Sequence, residues 1–439
     1  MRFIIIVFLT FIIFADASAQ IEPVDTDGNG LRNISSPDNI LFLSLNPSYW
    51  EFSYELDNDI DLVDSKSWNE GLGFLPIGNE AKPFTGIFDG HNFIISNLTI
   101  NRPSEDNLGF FGITASNADI RNVKFTVSDI NGNGFIGIIV GRNFGELDNI
   151  YANGTITAKK SYVGGITGEN SGTIQYCRTN IKINGSEAYN GGVAGENYGS
   201  IYYSRSLGEI RSAYIIGGLV GDNSGLISNC YSRVNIFAVD NYIGGLAGSN
   251  WETGNIINSY STGEVKGSGY YQGGLVGFKH NSAKDSASFW DTEASDIYES
   301  VGGEGKTTSE MKDASTFMTE NWDFTDVWAI SSTVNGGYPY LKSKTTSTQE
   351  NEIVVKPIIS FIPNINNESI NIDIHAQNNS FFSLSIYDYT GSIVMKNDIF
   401  YLNKGINKII QNVQGLSAGV YLAVIELNES IYIEKFIIY

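Results

Sequence analysis

The central part of the chain repeats one pattern of apolar and polar positions about every 27 residues. Each unit carries a double glycine or its near copy, and the first glycine falls at positions 137, 164, 191, 217 and 244. Three stretches of alternating apolar and polar residues make up a unit, separated by glycine or asparagine. Short strands joined by turns at fixed spacing predict a right-handed parallel β-helix, with one coil per unit. A helical solenoid would need a period near 3.6 and few glycines.

Positions that share a slot in successive units are predicted to stack along the coil axis. Asparagine amides in one slot can hydrogen-bond from coil to coil, and glycines in the turn slot are expected to adopt positive φ. Two apolar slots are predicted to fill the interior. The polar slots hold Asn143, Asn170, Asn197, Asn223 and Asn250, and Gly145, Gly172, Gly199, Gly225 and Gly254. The apolar slots hold Leu147, Ile174, Ile201, Ile227 and Ile256, and Ile156, Ile183, Ile210, Ile236 and Val265.

The two cysteines, Cys177 and Cys230, also share a slot and lie two coils apart. Because neighbouring coils are about 4.8 Å apart, the two Cα atoms should be separated by about 9.6 Å. That distance exceeds the limit of about 7 Å for a disulfide. We therefore predict two free thiols.

The segments that flank the repeats predict further domains. Ser36 and Pro37 precede an apolar run and indicate a short helix that covers the N-terminal end of the coils. Alternating strands near the C-terminus predict an antiparallel β-sandwich. The predicted order is an N-terminal cap with opening coils (20–108), repeats (109–280), a C-terminal cap with small helices (281–342), a polar linker (343–353) and the sandwich (354–439).

The first residues have the features of a signal peptide. Arg2 precedes an apolar run that is too short to span a bilayer comfortably, and Ala17 and Ala19 are the small residues of a cleavage site. We expect residues 1–19 to be removed and the mature chain to have no transmembrane span. The net charge of the 439-residue chain is −21, which disfavours nucleic acid and favours cations or neutral ligands such as sugars.

The repeat unit resembles the GLUG family, whose core tetrapeptide is closest to Gly218-Leu219-Val220-Gly221. Members of that family are exported bacterial surface proteins that are often linked with adhesion, and the repeat has no known catalytic residue. The stretches SIYDYTGSIV (385–394) and LSAGVYLAVI (416–425) resemble the C-terminal sorting domain of the type IX secretion system of Bacteroidetes. Here PNINN replaces the usual PNP. The resemblance implies that residues 354–439 engage the secretion machinery for export to the surface or the medium.

Two sets of side chains are candidate binding residues. Glu169, Glu196 and Asp222 occupy one slot, which Arg142 and Ser249 extend, and they are predicted to form an exposed ladder. Tyr151, Tyr231 and Tyr260 share another slot. If these rings face outward they form a stacking surface for sugars or protein, and if they face inward they belong to the core.

A candidate calcium loop begins at Asp25, Asp27 and Asn29. Its twelfth position, where a glutamate is required, is Ser36. A solvated turn is therefore the favoured interpretation, and we expect no metal site and no cofactor.

The function predicted from these features is non-enzymatic binding of glycans or an extracellular protein by an exported surface protein. The alternative is a carbohydrate-active β-helix enzyme, either a polysaccharide lyase or a glycoside hydrolase, which would need a clustered carboxylate pair. A purely structural spacer is a third possibility. Acids that recur in successive coils favour a solvated, exposed ladder over an active site, because an active site is singular. The sequence leaves open the ligand, the binding face, the oligomeric state and cleavage of the C-terminal domain.

Overall fold

The computed structural model of the protein describes residues 20–239, 242–343, 358–363, 369–376, 380–402, 405–427 and 430–438. The predicted signal peptide (1–19) and residues 344–353 of the predicted linker lie outside this part of the chain. The chain divides into two compact units, Met1–Thr308 and Ser309–Tyr439, which are described separately. The division falls within residues 281–342, so the assignment of that segment as one cap stays a prediction.

The first unit is a parallel β-solenoid of about seven coils with about 27 residues per coil. The coils that begin at Val163, Asn190 and Ile216 each contribute four short strands to three parallel sheets, because the first of the three predicted stretches is split in two. In one coil these strands are Ile216–Gly217, Val220–Asn223, Leu226–Ser228 and Tyr231–Ala238. Asn197 pairs with Asn223, one coil further along the axis, as the repeat spacing requires. The predicted stacking of slots is confirmed.

The strands of successive coils pair into three parallel sheets, which run along the solenoid axis. Sheet I contains Arg32–Ile34, Tyr54–Leu56, Ile60–Asp61, Ile87–Asp89, Ile94–Ser96, Thr99–Asn101, Asp119–Gly132, Glu146–Ala158, Thr173–Gln175, Arg178–Asn184, Ser200–Tyr202, Arg205–Ser212, Leu226–Ser228, Tyr231–Ala238, Asn255–Ile257, Tyr260–Ser261, Val265–Lys266, Lys284–Ser286, Phe289–Asp291 and Glu304–Lys306. Sheet II contains Phe111–Ile113, Val140–Asn143, Thr167–Asn170, Ala194–Asn197, Val220–Asn223, Ala247–Asn250 and Val276–Lys279. Sheet III contains Val163–Gly164, Asn190–Gly191, Ile216–Gly217, Ile243–Gly244 and Gln272–Gly273.

The interior is mostly apolar, and its polar side chains stack in files of asparagine and of serine or threonine. Residues of both predicted apolar slots, such as Ile201 and Ile210, are fully buried. The buried asparagine amides form a hydrogen-bonded ladder, in which Asn170 Nδ2 donates to Asn197 Oδ1 and Asn197 Nδ2 donates to Asn223 Oδ1, each at 2.8 Å. The ladder satisfies polar groups that would otherwise be costly to bury.

The turn glycines do not adopt positive φ, so that expectation is wrong. A Cβ on Gly225 would instead collide with the carbonyl oxygen of Gly199 in the preceding coil. Close packing of backbone on backbone, rather than a left-handed conformation, therefore requires glycine in this slot. The left-handed conformation falls on other positions, including Tyr162 (φ 71°) and Tyr189 (φ 60°) just before the double glycine.

The coil is narrow enough for its opposite walls to hydrogen-bond. Ser206 Oγ, on sheet I, donates to the carbonyl oxygen of Gly218 at 2.6 Å, across the interior. A Cβ on Gly218 would overlap the Ser232 hydroxyl and the Gly245 carbonyl oxygen. The second glycine of the repeat thus sets the thickness of the solenoid.

The predicted N-terminal helix is present as Pro37–Leu45, with Ser36 as its N-cap and a capping box completed by Asn39. Its buried residues Ile40 and Leu43 belong to the same core cluster as the coils. The helix lies between strands that pair in parallel, so it forms part of the first coil. Short 3₁₀ helices follow at Pro47–Tyr49, Val63–Ser67 and Asn69–Gly71, and a one-turn α-helix lies near the other end at Thr292–Ser295.

In its described residues, the second unit contains small helices, a two-stranded antiparallel sheet and two larger antiparallel sheets. Helices lie at Thr308–Met311, across the division, and at Ala314–Met318, with a 3₁₀ turn at Asn335–Gly337 and paired strands at Trp328–Ala329 and Tyr340–Leu341. One sheet contains Ile358–Pro363, Ser369–Ala376 and Gly405–Asn412, and the other contains Ser380–Asp388, Ile393–Leu402, Gly419–Leu427 and Ser430–Ile438. Both contribute to one core, for example through Ile372 and Ile425, as the predicted β-sandwich requires.

Candidate binding strip and sorting domain

The carboxylate slot runs along the outside of sheet II. Arg142, Glu169, Glu196, Asp222 and Ser249 pair in register on five successive coils, so the predicted ladder exists. It is not exposed as expected, because each of the three acids is only 8% accessible. Each acid directly precedes an inward-facing, buried asparagine along its strand, and Glu196 has a tyrosine in the neighbouring slot on each side, Tyr189 and Tyr198.

Two rows of residues, most of them aromatic, border the ladder. One row precedes sheet III and comprises Phe135, Tyr162, Tyr189, Ile215, Tyr242 and Tyr271, and the other follows the asparagine ladder and comprises Phe144, Ser171, Tyr198, Ser224, Trp251 and His280. In the first row the rings of Tyr162 and Tyr189 stack with centroids 4.9 Å apart. The ladder continues to Phe278 on the next coil. The ladder, Phe278 and the two bordering rows are together called the strip.

The three acidic side chains of the strip have different partners, and only one of them forms an ion pair with an arginine. Arg142 forms an ion pair with Glu169 at 3.1 Å, and its guanidinium lies 5.0 Å from the centre of the Phe135 ring. Glu196 accepts a hydrogen bond from the Tyr198 hydroxyl at 2.5 Å, and Asp222 accepts one from the Ser249 hydroxyl. The middle of the strip is therefore acidic, with hydroxyl donors as its partners.

The pKa of Glu196 is raised to about 7, chiefly by burial and to a smaller extent by the carboxylates of Asp222 and Glu169, against the lowering effect of the Tyr198 hydrogen bond. Burial also raises the pKa of Asp222. A carboxyl group with a pKa near neutrality exists in both protonation states at physiological pH. Glu196 can therefore act as hydrogen-bond donor or acceptor toward a ligand.

The last two repeat coils place an aromatic cluster at one end of the strip. Trp251 lies 5.3 Å from Phe278 and 5.2 Å from His280, while Tyr242 lies 5.0 Å from both Tyr271 and Phe278, measured between ring centres. Trp251 is 40% exposed and Tyr271 is 46% exposed. Sequence reasoning missed Trp251, Phe278 and His280, although each occupies a repeat slot of the strip.

The candidate tyrosines lie elsewhere, on sheet I. Tyr151, Tyr231 and Tyr260 share the predicted slot, and the rings of Tyr231 and Tyr260 stack 5.0 Å apart. Tyr231 and Tyr260 are fully buried, and Tyr151 is half-buried. An accessible stacking surface is instead offered by the aromatic residues of the strip.

The candidate calcium loop is closed by its own backbone. The two carboxylate oxygens of Asp25 accept hydrogen bonds from the backbone N–H groups of Gly28 and Gly30, and Asp27 accepts from Asn29. These hydrogen bonds lower the pKa of Asp25. Within the described ranges, no group of three or more His, Cys, Asp or Glu side chains could hold a metal ion.

Both cysteines are buried free thiols. Ser204 separates them along the slot, since its Oγ accepts from the Cys177 backbone N–H and its own N–H donates to Cys230 Sγ. Burial raises the pKa of each thiol to about 12. The thiols are therefore packing residues at neutral pH.

Comparison with protein families identifies two segments of the chain. Residues 240–266, the coil that contains Trp251, match the family model for the GLUG motif, and residues 360–439 match the secretion system C-terminal sorting domain. The chain carries a GLUG motif and a sorting domain. The sorting domain indicates type IX export to the cell surface or the medium. No helix in the described ranges is long and apolar enough to span a membrane.

Two relatives are similar to this chain over short segments. A halomucin of Haloquadratum walsbyi is 34% identical over 112 residues, which is 24% of this chain and 1% of the halomucin. A putative Gly-rich membrane protein of Evansella cellulosilytica is 32% identical over 102 residues, 23% of this chain and 12% of that protein. The chain thus spans a small part of these relatives.

A solved IgA1 protease is similar over 91% of this chain and 34% of the protease chain. The TM-score is 0.48 and the sequence identity is 16%. This resemblance carries no information about activity.

Proposed function

We propose that the exported protein binds a glycan or an extracellular matrix protein along the strip. The observation that carries the proposal is the exposed aromatic cluster on the last two repeat coils, around Trp251 and Tyr271. A cluster of aromatic side chains that is exposed to solvent is characteristic of interaction sites. The sorting domain supports a location at the cell surface or in the medium, where such a ligand would be encountered.

The chemistry of the strip suits a linear polymer with hydroxyl groups. Aromatic rings offer flat apolar faces to the C–H surfaces of sugar rings, and the adjacent polar groups exchange hydrogen bonds with hydroxyls. Successive coils are about 4.8 Å apart, so each group recurs at a regular interval along the axis. An extended ligand could therefore contact Trp251, Asp222 and Glu196 in succession.

A screen of the purified full chain against immobilised glycans and matrix proteins tests the proposal. Trp251→Ala should weaken binding of the best ligand about fivefold to tenfold, since an aromatic stacking contact contributes about 1–1.4 kcal/mol. Tyr298→Ala is a matched control, because Tyr298 is 72% exposed and lies outside the strip. Absence of any ligand, or equal binding by the Trp251 variant and the wild type, would refute the proposal.

A second candidate function is glycosidic bond cleavage at the ladder. The raised pKa of Glu196, beside Asp222 on the next coil, is the property that a general acid needs in a carboxylate pair. Incubation of the same glycans with the protein distinguishes the two functions. Release of shorter products that is lost in Glu196→Gln would favour catalysis, whereas binding without product release favours adhesion.

A further inference from the structure

A second surface lies on sheet I, and none of its lining residues belongs to the strip. The outward residues near the ends of its long strands form one file, in which Thr157, Asn184, Arg211, Phe237 and Lys266 pair in register on five successive coils. A groove of about 830 Å³ follows this file. At about 4.8 Å per coil, the file is roughly 19 Å long and parallel to the solenoid axis.

The groove has a charge character unlike that of the whole chain. None of the described residues that line it is acidic, although the protein has a net charge of −21. Its two cations are Arg211 and Lys266, and hydroxyl groups are supplied by residues such as Ser212 and Ser268. A further exposed cation, Lys182, pairs in register with Glu209 on the neighbouring coil of the same sheet.

The two cations are accessible to a ligand. The side chains of Arg211 and Lys266 are 53% and 59% exposed, and each pairs with a glutamate two positions earlier, Glu209 at 2.7 Å and Glu264 at 2.5 Å. Exposed pairs of this kind contribute about 0–1 kcal/mol, so an anionic ligand can compete for the cations. The Arg211 guanidinium also lies 4.2 Å from the centre of the Phe237 ring, which holds it over the groove.

We propose that this groove binds a linear acidic glycan, a polysaccharide that carries carboxylate or sulfate groups. The cations would pair with its acidic groups, and the amide and hydroxyl side chains of the file would hydrogen-bond to its sugar hydroxyls. Single-stranded nucleic acid fits less well, because such binding uses successive aromatic platforms and the groove has one ring, which lies under Arg211. The groove and the strip have no residue in common, and this proposal does not depend on the strip's function.

The test measures binding of fluorescent oligogalacturonate to the full chain at low and moderate salt. A neutral malto-oligosaccharide of the same length, dextran sulfate and single-stranded DNA serve as competitors. Arg211→Gln/Lys266→Gln should weaken oligogalacturonate binding at least tenfold, and added NaCl should weaken binding to the wild type. Lys66→Gln/Lys82→Gln removes the same charge from the N-terminal region and should bind as the wild type does. Equal thermal unfolding of all variants checks their folding.

Each outcome has a defined meaning. Stronger competition by dextran sulfate than by unlabelled oligogalacturonate assigns the groove to sulfated glycans, and the reverse assigns it to uronates. Equal competition by the neutral sugar, stronger competition by DNA, or an unchanged affinity in the groove variant would overturn the proposal. A Trp251→Ala variant in the same assay separates the sites, since it should not alter oligogalacturonate binding even where it abolishes binding at the strip.

Discussion

Replacement of Glu196 by glutamine should stabilise the solenoid at neutral and alkaline pH and leave its stability unchanged at acidic pH. Glu196 is 8% exposed and stacks between two other acidic side chains of the ladder. Burial, with the neighbouring carboxylates, raises its pKa from 4.5 to about 7. The charged form is therefore disfavoured in the folded protein relative to the unfolded chain.

The direction of the pH dependence follows from proton binding. Between pH 4.5 and 7 the folded state holds the Glu196 proton and the unfolded state has released it, so the free energy of unfolding falls as pH rises. Above pH 7 the full cost is present, on the order of 3 kcal/mol for a shift of this size. Glutamine resembles the protonated acid, because its Oε1 can still accept from the Tyr198 hydroxyl and its amide can donate to an adjacent carboxylate.

Thermal unfolding of the Glu196→Gln variant and the wild type at pH 4.5, 6, 7 and 8 measures the effect. The difference in Tm should be near zero at the lowest pH and reach roughly 5 °C or more at the highest. Glu252→Gln removes the same charge from an exposed position beside the strip and should give no pH-dependent difference. A difference in Tm that is constant with pH, or a less stable Glu196 variant at pH 8, would refute the reasoning.

Two further substitutions or measurements check the packing of the coils. Gly218→Ala should lower the free energy of unfolding by about 3 kcal/mol in denaturant titrations, because its Cβ would overlap atoms of the facing wall, whereas Gly419→Ala, with 3.6 Å to the nearest atom, should be tolerated. Equal losses in the two variants would contradict this account. Mass spectrometry after alkylation in denaturant, without reductant, should find both Cys177 and Cys230 alkylated, and labelling of the native protein should be slow. A Cys177–Cys230 disulfide would mean that the register of the coils is wrong.

The repeat spacing was sufficient to predict the register of the solenoid. In a parallel solenoid, equal positions in successive units must pair, so Asn197 could be placed beside Asn223 without coordinates. The buried amide ladder and the separation of Cys177 from Cys230 followed from that spacing. The N-terminal helix was predictable for a local reason, because Ser36 and Pro37 specify a helix start.

The roles of the glycines could not be predicted in the same way. Glycine permits both positive φ and close backbone approach, and the sequence does not distinguish the two uses. Glycine is required at Gly225, in the turn slot, because its backbone lies close to that of Gly199. The left-handed conformation is adopted elsewhere, for example by Tyr189. The carbonyl oxygens that exclude a side chain belong to another coil, so only the assembled solenoid reveals the constraint.

The properties of the candidate sites depend on neighbours that the repeat does not specify. Glu169, Glu196 and Asp222 are equivalent by slot, yet Glu169 pairs with Arg142 while Glu196 accepts from Tyr198. The difference arises because the coils vary at the same positions on either side of the ladder. Repetition therefore fixes where a side chain lies, and departures from repetition, such as Trp251 in place of the serine of an earlier coil, give one stretch of the solenoid a surface suited to a ligand.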